Sequence, residues 1–359
     1  MASKDFHDRP YDAGTLAKLR IFELYAQEWI PVFVSPTAPK FKEVHIFDFF
    51  CGPGTDSEGA HGSPLRILNQ LRRYHEKGMA GWNKVRTVVH FFDRDPRKIE
   101  LLNFTIKFAE WNIPGVQIDC RTLTFQDALA EYRTLLTDFR VAKLLVIDQC
   151  GVDEVSDEVF KKLIGFPTTD FIFFLSSSTL HRFRDHSAIK QKIEKPEDSY
   201  DVHRAAGDYY RKLVPATNRV FLGSFSIRKR SNIYGLIFGS HHPLGIHKFL
   251  HVAWKADEIA GEANFDIERT GLQPGERYLF ENMRPKKIDQ FEAELEHLLK
   301  SGKIKSELGV ARFCIETGMT CQHSVPVLKK LKAEGIIETE FDVPNIRKLN
   351  TPRLIRRRT

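Results

Sequence analysis

The sequence has no Cys-x-x-Cys pair, and its five cysteines stand at scattered positions 51, 120, 150, 314 and 321. That excludes a zinc site built on paired thiolates and gives no disulfide framework. It agrees with a reducing compartment, so a cytoplasmic location is expected. No run of about 18 apolar residues occurs, and no membrane-spanning helix is expected. The opening residues, MASKDFHDRP, are polar and lack the apolar core of a secretory leader. No G-K-[ST] follows a glycine-rich loop, which excludes a P-loop. His247 and His251 have i, i+4 spacing, but no H-E-x-x-H pattern accompanies them, so no metal site is expected. Charge of one sign is not in great excess, at +7 over 359 residues, and does not by itself imply a nucleic-acid partner.

What is present is core material, 42% of the chain being hydrophobic, at a length that suggests two domains. The most informative stretch is VHIFDFFCGPGTDSEGAHGSPLRIL, residues 44–68. Its first seven residues read as a buried parallel strand, short, aromatic and β-branched. Gly52 and Gly54 then form a tight turn that lets a ligand approach backbone at the carboxyl end of a strand. The loop is not the dinucleotide fingerprint, which needs G-x-G-x-x-G opening a helix directly. An acidic residue, Asp48, followed by G-x-G suits a ligand with a cationic group rather than a pyrophosphate. S-adenosylmethionine, with its ammonium and sulfonium, has that character. An ordinary strand-to-loop turn is the alternative.

A second apolar run at 88–92 ends in Asp93-Arg94-Asp95-Pro96. Asp93, directly after the strand, can accept both hydroxyls of an adenosine ribose. Asp95, before Pro96, reads as a helix N-cap. Further strands are expected at 116–120, 143–147 and 171–175, alternating with helical stretches at 96–111, 125–136 and 157–164. That alternation argues for βαβ units and a parallel sheet, with Asp48, Asp93, Asp148 and Ser176 along one edge. A hairpin over 220–226 and 233–238 would complete a seven-stranded sheet.

On these residues the chain resembles the three-Cys-motif partner proteins, a bacterial group. The matching segments are Asp48-x-Phe50-x-Gly52-Pro53-Gly54, Gly62-Ser63-Pro64-Leu65, Phe92-Asp93-Arg94-Asp95-Pro96, and Asp148 to Gly151. Asn232-x-Tyr234-x-Leu236-Ile237-Phe238, His242-Pro243, Lys248-Phe249 and Trp254-Lys255 also match, as do residues 19–29. The resemblance implies a methyltransferase-like Rossmann fold: a class I methyltransferase sheet, mostly parallel, ending in an antiparallel hairpin. It supplies a fold more firmly than a reaction. The family's D-P-[FY]-G pattern is replaced here by Asp148-Gln149-Cys150-Gly151. S-adenosylmethionine enzymes often hold adenine with an acid near Thr124; here Phe125 and Asp127 are the nearest candidates.

The C-terminal part reads differently. Helical stripes at 288–299, 307–317 and 321–334 precede a strand at 336–341 and a turn at Pro344-Asn345. Three helices and a β-hairpin are the winged helix-turn-helix pattern. Gln322, His323, Ser324 and Lys329 would face a groove, and Arg347, Arg353 and Arg356 would grip phosphates. A protein-contact role is the alternative. The expected domains are therefore an N-terminal helical segment (1–42), a Rossmann-like domain (43–265) and a winged helix (286–359). A charged insertion at 179–211 would form a lid or specificity loop, with Arg182, Arg184 and His186 placed to meet a phosphate.

Two residues are candidates for chemistry. Asp148 can accept a proton or orient an attacking amine. Cys150 stands where cytosine-C5 enzymes carry a nucleophilic cysteine, without their proline-cysteine pattern; a buried thiol is the alternative. Two functions are carried forward. One is an S-adenosylmethionine-dependent methyltransferase acting on or with nucleic acid. The other is a non-catalytic nucleic-acid-binding or protein-partner module working with a three-Cys-motif protein. The absence of an N/D-P-P-[FYW] signature favours the second, and Asp48, Gly52, Gly54 and Asp93 favour the first.

Overall fold

A computed structural model describes residues 9–149, 154–175, 202–229, 232–258, 260–264, 287–346 and 353–357. The chain divides into two compact units, 1–245 and 246–359. The division falls well before the expected boundary at 265, and the N-terminal segment belongs to the first unit.

The first unit is built on a seven-stranded sheet. In chain order its elements are α1 (Ala13–Val34), β1 (Glu43–Asp48), α2 (Ser63–Glu76), β2 (Arg86–Asp93), α3 (Pro96–Phe108) and β3 (Val116–Thr122). Then come α4 (Phe125–Glu131), α5 (Arg133–Thr137), β4 (Ala142–Ile147), α6 (Asp157–Leu163), β5 (Thr169–Leu175), α7 (Val202–Leu213), β6 (Phe221–Lys229) and β7 (Asn232–Ser240). The strand order is β3-β2-β1-β4-β5-β7-β6. Strands β1 to β5 are parallel, and β7 runs antiparallel to both β5 and β6. This is the class I methyltransferase sheet expected from the sequence.

The central strands β1, β2, β4 and β5 form where they do because they are buried on both faces, whereas edge strand β3 is only half-buried. All six residues of β4 are buried, Lys143 included. Its ammonium reaches the Asp138 carbonyl at 2.6 Å, and burial pushes its pKa down to about 8. Aromatic side chains fill the layer beneath the sheet, with Phe47, Phe49, Phe92, Phe160, Phe171 and Phe173 in one cluster. Within it runs a polar ladder that the apolar pattern of the strands hides. Glu43, His45, His90, Asp119 and Tyr132 are joined in series across β1, β2, β3 and the α4–α5 junction, at 2.8, 2.8, 3.0 and 2.6 Å. Burial pushes the His45 pKa down to about 4.

The order reverses between β1 and β4: β2 and β3 follow on one side, β5 on the other. Such a switch point opens a crevice at the carboxyl ends of the strands. Asp48 lies opposite Phe91 and Val146 in the ladder, so the ends of β1, β2 and β4 come level.

The second unit holds most of α8 (Pro243–Ala256), then α9 (Lys287–Lys300), α10 (Glu307–Glu316), a 3₁₀ turn (Cys321–Ser324) and α11 (Val325–Ala333). A two-stranded antiparallel sheet follows, β8 (Ile337–Thr339) with β9 (Ile355–Arg357). Its core gathers Trp254, Phe291, Leu295, Leu299, Val310 and Leu328. Helix α11 starts beside Ser324, where Pro326 places it: the proline falls in the first turn, where a missing N–H costs nothing. The partner of β8 is 355–357 rather than the residues just after Pro344-Asn345.

Candidate functional site

The site begins with the turn after β1. Gly52 and Gly54 adopt φ of 63° and 93°, in the left-handed region where L side chains are strained. At Gly54 a Cβ would also stand 2.9 Å from Leu102 Cδ1. The turn is latched to β2 by two bonds: Cys51 N–H donates to the Phe92 carbonyl at 2.9 Å, and Gly52 N–H to Asp93 Oδ2 at 3.2 Å. Gly62 N–H closes the loop onto the Gly54 carbonyl at 2.7 Å. The intervening segment is organised by Asp56, which accepts from the backbone of Tyr11, Glu58 and Ala60.

Asp48 is completely buried. Its Oδ1 accepts from Phe50 N–H at 3.2 Å, and its Oδ2 has no hydrogen-bond partner. Burial pushes its pKa up to about 7, against the pull of Ser63 and Phe50, and the charges of Asp148 and Asp93 add to the rise. A buried carboxylate oxygen left unpaired is costly and needs an explanation.

Asp93 ends β2 as expected. Besides Gly52 it holds Asp95 N–H at 2.9 Å, so it fixes both the glycine turn and its own. Asp95 is the N-cap of α3, and the Arg97 side chain holds its carboxyl down to about 2.

Asp148 follows β4 and is paired with Lys18 of α1, Nζ to Oδ1 at 2.6 Å, both buried. The same ammonium lies 4.7 Å from the centre of the Phe174 ring at the end of β5. Sequence reasoning missed Lys18. The signal was there: Lys18, the one lysine of its helix, falls within the buried stripe Thr15, Leu19, Phe22, Tyr25, Ala26 and Trp29. It missed Gln149 too. That side chain is fully buried, donates to the Phe174 carbonyl at 2.8 Å, and accepts from Glu154 and Val155 N–H at 2.7 and 3.1 Å. Gln149 ties the loop after β4 to β5. Cys150 lies outside the described residues, as do Arg182, Arg184 and His186 of the insertion.

Of the residues expected at the adenine end, Phe125 is buried edge-to-face against Phe49 at 5.1 Å, and it contacts half-buried Phe50 at 5.6 Å. Asp127 is exposed and serves the start of α4: it accepts from the Thr124 hydroxyl at 2.6 Å, while Thr124 caps the helix. The carboxylate therefore has a local structural partner already.

In the second unit, Gln322, Lys329 and Arg356 are exposed. Ser324 is fully buried and its hydroxyl donates to the Cys321 carbonyl at 2.7 Å. The expectation that it faces a groove is corrected: the 3₁₀ turn directs it inward. His323 packs on Trp254 at 4.2 Å, with Nδ1 engaged by Thr320. Arg353 grips buried Glu307 through two bonds of 2.9 and 2.6 Å, which makes it a tie within the unit. Arg347 lies outside the described residues.

No protein-family model matches the sequence, and a search of curated proteins finds no match. Among solved structures, an O-methyltransferase from Bacillus cereus in complex with SAH is 14% identical with a TM-score of 0.36, over 66% of this chain and 83% of that one. TYW2 of M. jannaschii in complex with AdoMet is 11% identical with a TM-score of 0.30, over 64% and 75%. An rRNA methylase from Streptococcus thermophilus is 7% identical with a TM-score of 0.31, over 61% and 92%. At these scores the likenesses add nothing to the fold already read from strand order and direction.

Proposed function

We propose that the chain binds S-adenosylmethionine over the ends of β1 and β2 and acts as a methyltransferase on a nucleic acid or nucleotide-like substrate. One observation carries this reading: Asp48 Oδ2 is buried and unpartnered beside a turn whose glycines leave backbone open to a ligand. An ammonium group is the partner such an oxygen lacks, whereas a pyrophosphate would meet the carboxylates of Asp48, Asp93 and Asp148. S-adenosylmethionine carries that ammonium, and when bound it supplies a methyl group on a positively charged sulfur.

The chain's own residues divide the work. Asp48 receives the ammonium. Asp93 accepts ribose hydroxyls with the lone pairs that its bonds to Gly52 and Asp95 leave over. Asp148, with Oδ1 held by Lys18, orients the attacking group through Oδ2. The exposed Gln322, Lys329 and Arg356 belong to a unit whose three helices and small sheet follow the winged-helix order, which supports contact with nucleic acid. The sequence motifs support placing the chain beside the three-Cys-motif partner proteins.

A second reading is favoured by one contact. The Lys18 ammonium already neutralises the carboxylate at the β4 end, as suits a module that recognises nucleic acid beside a three-Cys-motif protein without catalysing transfer. Equilibrium dialysis with labelled S-adenosylmethionine, followed by a methyl-incorporation screen over RNA, DNA and protein, separates the two. Micromolar binding that Asp93→Ala abolishes, with label entering a nucleic acid, supports the enzyme. Binding without incorporation into any of the three supports the second reading.

A further inference from the structure

Helix α3 presents two apolar faces. Ile99 and Leu102 are buried. On the opposite side Leu101, Phe104 and Phe108 are 56, 63 and 79% exposed, and the two phenylalanine rings stack on each other with centres 5.3 Å apart. Their spacing of three and four residues places them in one row along the helix. Such side chains offer on the order of 100–150 Å² each, so the row forms a contiguous apolar patch of roughly 400 Å². Patches of that size on a folded surface mark interaction sites. Nothing in the cofactor site explains it, because the residues of α3's start that serve the turn, Asp93 and Asp95, precede this row.

The charges beside the row indicate what covers it. Glu100 and Lys107 lie on one flank, seven residues apart, and both are exposed. Neither has an ion-pair partner among the described residues. In heptad terms Leu101 and Phe108 occupy equivalent core positions, Phe104 the intervening one, and Glu100 and Lys107 the same flanking position in successive repeats. When two such helices pack antiparallel about a two-fold axis, equal flanks face each other. With the axis at Phe104, position 100 of one helix then meets position 107 of the other. Opposite charges thus meet twice, on the edge of a seam in which Phe104 faces its own copy and Leu101 faces Phe108. In a parallel arrangement each flank faces the partner's opposite flank, so Glu100 would meet Thr105 and the two charges would go unpaired.

We propose that the outer face of α3 is a self-association surface, on which a second copy of this chain packs its own α3 antiparallel about a two-fold axis at Phe104. An isologous contact of this kind closes on itself and gives a dimer. The apolar patch is smaller than the roughly 800 Å² per partner of a standard interface, so a weak, reversible dimer is expected.

Sedimentation velocity on the full chain from about 1 to 100 μM tests this. The account expects a concentration-dependent dimer that Phe104→Glu converts to monomer, with the circular dichroism of the wild type because the residue is exposed. Glu100→Lys or Lys107→Glu alone should weaken association roughly five- to thirty-fold, since each turns two attractive pairs into repulsive ones. The double exchange, Glu100→Lys with Lys107→Glu, should restore it to within about threefold of wild type, by the same pairing. A wild type that is monomeric throughout, a dimer indifferent to Phe104→Glu, or a double exchange no better than the singles would each overturn the proposal.

Discussion

At the scale of the residue, Asp48 and the Lys18–Asp148 pair are ionisable groups held away from water. Asp48 titrates near 7 in the folded protein and near 3.9 when unfolded. Between those values the folded state binds more protons, so this group's contribution makes the protein less stable as pH rises from about 4 to about 7, and levels off above. Asp48→Asn removes the penalty. It should raise stability at pH 8 by about 2–4 kcal/mol and leave it nearly unchanged at pH 4, as read from urea melts at both. An equal effect at the two pH values would contradict the account. The buried pair at the β4 end makes the opposite prediction about loss. Lys18→Met leaves the Asp148 charge buried without its partner and should cost about 3–5 kcal/mol, most of it recovered when Asp148→Asn is added. Denaturant unfolding of the two singles and the double measures that coupling.

At the scale of the element, the turn after β1 takes a backbone path that only glycine follows freely, and it is held from β2. Gly54→Ala meets a positive φ and Leu102 together, and should cost about 1–3 kcal/mol along with ligand binding. Gly59→Ala, also at positive φ but with open space around the new methyl, is the control and should cost about 1–2 kcal/mol with binding intact. Thermal melts and ligand titration of the two variants separate backbone strain from crowding. The central strands of this sheet were legible in the sequence because burial on both faces writes them as short apolar runs. Of the small sheet only β8 was: β9 is three residues long and lies among arginines, where no pattern marks a strand. The polar ladder of His45 and His90 was equally hidden, each histidine sitting inside a run that reads as core.

At the scale of the whole molecule, the sequence carried the sheet, its carboxyl edge and the acids along it, since these depend on local runs and the residues that end them. It did not carry Lys18, whose partner lies 130 residues away, or the fate of Ser324 and Arg353, which tertiary packing turned to internal use. What remains exposed on the second unit predicts its behaviour with nucleic acid. Lys329→Glu and Arg356→Glu should weaken binding to single- and double-stranded probes alike, each reducing the salt slope by about one. Fluorescence anisotropy between about 50 and 200 mM salt reads both quantities, over a range where phosphate contacts lose much of their affinity. An unchanged slope would remove those two side chains from the interface.

The most direct test of the central claim is calorimetric titration of S-adenosylmethionine at pH 7 in two buffers of different ionisation enthalpy. Pairing the α-ammonium with Asp48 must drive the remaining proton off that carboxyl, so binding should be micromolar and release a fraction of a proton to the buffer. The affinity should weaken up to tenfold per pH unit below about 7. Asp48→Asn should bind more weakly and release none. Absence of binding at millimolar ligand, or binding with the same proton count in the variant, would contradict the account.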